Sequence, residues 1–130
     1  MIGIVFVMHG GMADEFLATT EHVLGPQKGM KAVGMSADHN REDIRANICS
    51  AADEVDGGDG VVVVTDLFGG SPANLCTKAC SAGERRMIFG ANVPTALALA
   101  RFRHLPVDEA VERATEAGRK YINWKDFGQG

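Results

Sequence analysis

Cysteine, clustered basic charge and long apolar runs are all scarce in this chain, and each scarcity excludes something. There are three cysteines in 130 residues, Cys49, Cys76 and Cys80. An odd number does not close a disulfide framework. Cys76 and Cys80 stand one helical turn apart, but a metal site needs further ligands and the same stretch offers none. All three read best as small buried hydrophobes. No run of Lys or Arg exceeds two residues, and the formal net charge is −4. That pattern argues against nucleic acid or an anionic membrane as the main partner. Residues 1–8 are apolar but too short to span a bilayer, and no basic leader precedes them. The expected setting is therefore the cytoplasm, with no membrane insertion. No internal repeat, linker or low-complexity tract is present.

What remains is the balance of an ordinary globule, 45% apolar and 23% charged. Its length suits one core, so a single domain over residues 1–130 is expected. Residues 2–8 form a continuous β-branched and aromatic run, the pattern of a strand buried on both faces. Residues 13–24 follow with apolar side chains at helical spacing, closed by Gly25-Pro26. A short second strand at 31–35, a polar turn at 36–40 and a helix at 41–55 come next. After the turn at 56–59, "GVVVVT" at 60–65 is the strongest strand signal in the chain. "DLFGGSP" then reads as a loop, with Ser71 as N-cap and Pro72 as first residue of a helix over 73–82. A fourth strand at 86–89 precedes helices opening at Pro94 and at Pro106 or Val107, which run to Arg103 and to about Arg119. The aromatic tail "KYINWKDF" suits a short strand.

Strands and helices that alternate in this way imply an α/β fold, a doubly wound and mainly parallel four-stranded sheet with helices on both faces. Right-handed crossovers favour the order 2-1-3-4, whose switch point lies between the carboxyl ends of strands 1 and 3. His9 follows strand 1 and Asp66 follows strand 3. Neighbouring strands would set the two face to face. A carboxylate accepting one ring N–H fixes the tautomer and leaves the other nitrogen with a free lone pair, a nucleophile or base. Gly69 and Gly70 allow close approach of the backbone, and Ser71 opens a helix whose first N–H groups form an anion site. Gly10 and Gly11 leave the approach to His9 open. A nucleophilic ring beside an anion cradle suits transient capture of a phosphoryl group.

Taken singly, each of these residues also fits an ordinary loop or turn; their convergence at one switch point carries the reading. His22 lies within the first helix, His39 in a polar turn and His104 between two helices, and the sequence gives none of them a partner. A flavodoxin-like ligand binder would need a hydroxyl-rich phosphate loop after strand 1, which "HGGMAD" lacks. A receiver domain would need paired acidic residues there, and Met8-His9 supplies none.

Three stretches, "GIVFVMHGGMADEFLATTEHVLG", "VVVVTDLFGGSPAN" and "FGANVPTALALA", resemble the IIA domain of the mannose-family phosphotransferase system. They stand in that family's order and spacing and cover nearly the whole chain. The resemblance implies that His9 is the phosphorylated residue and that Asp66 holds its imidazole. It also implies that Ser71 faces the phosphate. The donor would be the phosphocarrier HPr and the acceptor a IIB component; no cofactor or metal is implied. It further implies a homodimer in which the C-terminal strand is exchanged, antiparallel, between subunits. Two departures stand out. The Ala/Pro-rich linker of members fused to IIB is missing, so a stand-alone IIA is expected. Phe68 replaces the Trp often found before the double glycine, a change at a docking surface rather than in the chemistry. The phosphotransfer subunit of dihydroxyacetone kinase shares the fold and histidine but has another acceptor. A regulatory module, in which His9 phosphorylation is a signal without onward transfer to sugar, is the alternative function.

Overall fold

The computed structural model describes residues 1–36, 40–67 and 83–129. Within them four strands, β1 (Gly3–His9), β2 (Met30–Met35), β3 (Val61–Thr65) and β4 (Arg85–Ile88), form one sheet. Its order is β2-β1-β3-β4 and every pairing is parallel. The helices are α1 (Met12–Leu24), α2 (Arg41–Val55), α3 (Val93–Arg101) and α4 (Val107–Tyr121). The doubly wound architecture read from the sequence is the one observed. The helix expected over 73–82, its Ser71 cap and residues 37–39 of the polar turn lie outside the described residues.

Successive side chains on a strand point to opposite faces, and the central strands use this to serve two cores. Ile2, Ile4, Phe6, Met8, Val62 and Val64 pack on one face with Ala13 of α1, Ala96 and Leu99 of α3, and Ala110 and Ala114 of α4. Val5, Val7, Val61 and Val63 pack on the other with Ile44, Ile48, Ala51, Ala52 and Val55 of α2. Coverage on both faces explains why β1 and β3 are continuous apolar runs rather than alternating ones.

Several boundaries move by a residue or two. His9 is the last residue of β1 rather than the first after it, because it stays in register with Met35 of β2. Gly60 leaves β3 with φ +103, and a Cβ there would meet Glu84 O at 2.8 Å. β4 stops at Ile88, leaving Phe89 outside it. The helix expected to reach Arg103 ends at Arg101, where the Phe102 N–H returns to Ala98 O and Leu99 O. The tail expected as a strand pairs with none among the described residues of this single chain; Phe127–Gln129 is a 3-10 turn. No described helix is long and apolar enough to cross a membrane.

Candidate functional site

β1 and β3 are adjacent, with Val7 opposite Thr65, so their carboxyl ends deliver His9 and Asp66 to the same crevice. His9 Nδ1 lies 3.0 Å from Asp66 Oδ2. The same oxygen accepts the His9 backbone N–H at 3.2 Å. An ionised carboxylate can only accept, so Nδ1 carries the proton and Nε2 holds the free lone pair. The His9 side chain is 47% exposed and that of Asp66 12%. The ring is thus reachable from solvent while its partner is held behind it.

Burial alone would raise the Asp66 carboxyl, but the side-chain bond with His9, the His9 backbone N–H and the electrostatic attraction of His9 outweigh it. The group is held below the ordinary carboxylate value. Its second oxygen, Oδ1, is buried without a donor among the described residues.

Behind His9 the chain turns through Gly10 at φ +57, a left-handed conformation that favours glycine. The Gly10 N–H donates to Met35 O at 2.7 Å, and the Gly10 carbonyl passes close over Gly34 of β2. Gly10 and Gly11 are exposed and have open space around them. On the other flank, Ala91 N–H donates to Thr65 O at 3.1 Å and ties the segment after β4 to the end of β3. Gly34 was not singled out in the sequence, although a glycine inside the strand-like "KAVGM" is a signal of close backbone approach.

The structure therefore brings His9, Asp66 and Gly10 together, while Gly69, Gly70 and Ser71 lie outside the described residues. His22 and His104 are exposed and stand apart from this crevice, on α1 and between α3 and α4.

A sheet of this order with an oriented histidine at its switch point defines a doubly wound α/β domain that carries a candidate nucleophile in its ligand crevice. A family model described as "PTS system fructose IIA component" matches residues 3–115. The chain is 30% identical over 124 residues to the "PTS system mannose-specific EIIAB component" of Escherichia coli K12, which covers 93% of this chain and 38% of that protein. It thus spans under two fifths of the length of the curated relatives it matches. Phosphotransferase system component EIIA from Streptococcus agalactiae superposes with a TM-score of 0.85 at 24% identity, all of both chains being covered. The mannose/sorbose-specific IIA subunit from Enterococcus faecalis superposes with a TM-score of 0.84 at 27% identity, over 96% of this chain and 95% of that one. The chain belongs to the mannose family of phosphotransferase-system IIA components.

Proposed function

We propose that His9 accepts a phosphoryl group from phosphorylated HPr on Nε2 and passes it to a IIB component for sugar uptake. The observation that carries the reading is the Nδ1–Asp66 contact of 3.0 Å, which leaves the other nitrogen available for nucleophilic attack. The Nε2 lone pair forms the new N–P bond while the bond from phosphorus to the donor breaks and its electron pair returns to the donor group. The His9 ring keeps its Nδ1 proton and gains positive charge, which Asp66 balances. Onward transfer is the same displacement reversed: a nucleophile on the acceptor attacks phosphorus, and Nε2 regains its pair. The reading assigns the phosphoryl oxygens to Gly69, Gly70 and Ser71 on sequence grounds, with Gly10 leaving the approach clear. It treats the 130 residues as one IIA unit acting in the cytoplasm.

The test is incubation with phosphoenolpyruvate, enzyme I and HPr, followed by intact mass. The expected result is one acid-labile phosphoryl group on the protein and none on a folded His9→Ala variant. Acceptance by that variant would overturn the assignment, and an acid-stable adduct would point to a hydroxyl such as Ser71. Candidate IIB proteins should then discharge the phosphorylated form. Retention of the group with every IIB protein tried would favour the regulatory alternative.

The reading includes a homodimer. The outer edge of β4 is one of the two edges of the sheet, and an unpaired edge is a template for another strand. Tyr121, Ile122, Trp124 and Phe127 are 71%, 72%, 84% and 95% exposed in the single chain, an apolar tail suited to covering that edge in a partner. Light scattering should find dimers at micromolar concentration, and deletion from Lys120 onward should give monomers or aggregates. A full-length chain that is monomeric there would remove the dimer from the proposal.

A further inference from the structure

We infer that Gly34 is a positioning residue for His9: the missing side chain leaves room for the turn that aims the imidazole at Asp66. A glycine inside a strand weakens it, so its presence calls for a reason. Conformation does not supply one, because Gly34 sits in β2 in ordinary register with Met8 and is not among the glycines with positive φ. Space does. A Cβ at Gly34 would lie 2.7 Å from the Gly10 carbonyl oxygen, and among the described residues, its two chain neighbours aside, the only other atom within 4 Å is that carbonyl's carbon, at 3.9 Å. The obstacle is backbone, so it cannot swing aside as the end of a side chain would.

Gly10 is also tied to β2 from the other direction, through its N–H to Met35 O at 2.7 Å. Two consecutive residues of β2 thus hold the turn, Met35 by a bond and Gly34 by leaving room. His9 lies between this turn and Asp66, with its backbone N–H 3.2 Å and its Nδ1 3.0 Å from one carboxylate oxygen. To admit a methyl group the Gly10 carbonyl must retreat from 2.7 Å to beyond 3.0 Å, and to 3.4 Å for ordinary van der Waals contact. The displacement is applied one residue from His9 and loosens the contact that fixes its tautomer. A ring released from Asp66 samples the Nε2–H form, in which the reacting nitrogen has no free lone pair.

The consequence for transfer rests on the phosphoryl-transfer reading of His9; the positioning role itself does not. Long-range ¹⁵N–¹H correlation of the imidazole, at a pH where the ring is neutral, should show a single Nδ1–H tautomer in the unsubstituted protein. A folded Gly34→Ala variant should show a mixture. Its rate of phosphoryl acceptance should fall about 10- to 100-fold, the scale of a sub-ångström to ångström misplacement. Half-saturation by phosphorylated HPr should stay within about twofold, as for a loss confined to the transfer step. Val33→Ala, a neighbour in the same strand packed partly against the α2-side core, should lower stability without moving the tautomer. A wild-type tautomer in Gly34→Ala overturns the inference. A shifted tautomer with an unchanged rate upholds the positioning role and removes the tautomer's control over transfer, whereas failure of the unsubstituted protein to accept a phosphoryl group removes the phosphoryl-transfer reading and leaves the positioning role standing on the tautomer alone. Should Gly34→Ala fail to fold, the unsubstituted protein decides: through-hydrogen-bond coupling from the Gly10 nitrogen to the Met35 carbonyl carbon supports the inference, and its absence overturns it.

Discussion

Asp66 presents one oxygen to both N–H groups of His9 while the other stays buried without a donor among the described residues. This asymmetry decides what Asp66→Asn should do. The amide oxygen can keep the place of Oδ2 and accept both bonds, which puts the NH₂ group in the place of Oδ1. Orientation is then largely retained and the negative charge is lost. Phosphoryl transfer should slow about 10- to 1,000-fold, less than the roughly 10⁴-fold cost of the same swap in a serine protease triad, since no proton need be removed here. Rapid-quench kinetics with phosphorylated HPr would read the rate, and an unchanged rate would mean that the negative charge of Asp66 does not assist the transfer. The swap also has a pH signature. The Asp66 carboxyl is held below its ordinary value in the folded chain, so its stabilising contribution is full above the unfolded carboxylate value of about 3.9. It is lost as pH falls through the lower folded value. Asp66→Asn should therefore flatten the acid limb of stability below about pH 4. The His9–Asp66 pairing was legible because two apolar runs each end in a polar residue and the topology makes those runs neighbours. The double use of Oδ2 was not legible, because it depends on His9 remaining within β1.

Among the elements, the contact of α3 with α4 shows where local rules give way. Asn92 accepts the Thr95 N–H at 3.0 Å, and the Thr95 hydroxyl reaches Asn92 Oδ1 at 2.6 Å. The Asn92 amide also donates to Gly118 O of α4 at 2.9 Å, so one side chain both caps α3 and ties α4 to it. Glycine inside a helix costs about 1 kcal/mol relative to alanine, and propensity alone would make Gly118→Ala stabilising. A Cβ there would collide with Thr95 Oγ1 and come within 3.0 Å of Asn92 Oδ1. The expected outcome is a net loss of about 1 to 3 kcal/mol in urea unfolding, the usual range for overpacking. A more stable variant would mean that the two helices separate freely. The start of α3 could be read from Pro94, and the order of strands and helices from β-branched runs and helical periodicity. Gly118 could not, because its neighbours lie 23 or more positions away in sequence and only packing brings them together. For the same reason the helical pattern overruns the end of α3 by two residues: Arg103 continues it but turns its side chain to the carbonyl of Ile2 instead.

That arginine governs the end of the molecule opposite His9. It is 3% exposed, and burial pushes its guanidinium pKa down from the ordinary value. No carboxylate among the described residues pairs with it. Instead Nε–H donates to Ile2 O at 2.8 Å, Nη2 to Gly29 O at 3.0 Å and Nη1 to Gln27 Oε1 at 3.3 Å. The Ile2 N–H returns a bond to Arg103 O at 3.0 Å. One side chain thus joins the start of β1, the segment before β2 and the connection between α3 and α4. Two effects compete in Arg103→Met. Removing a buried cation that lacks a counter-charge is favourable, as replacement of buried ionic groups by apolar ones often is. Leaving up to three acceptors without their donor is unfavourable, at about 1 to 3 kcal/mol for each that water cannot reach. The carbonyls of Ile2 and Gly29 flank the first parallel pairing of the sheet, so the second effect should win, with a net loss of about 2 kcal/mol in urea unfolding. Phosphoryl acceptance per folded molecule should be unchanged, because Ile2 and His9 are separated by the length of β1, about 23 Å at the usual strand rise. Arg103→Lys keeps the charge but cannot present donors to three separate acceptors at once, and should recover less than half of the loss. An Arg103→Met variant more stable than the parent would show that the uncompensated charge, and not the missing donors, dominates at this end of the sheet.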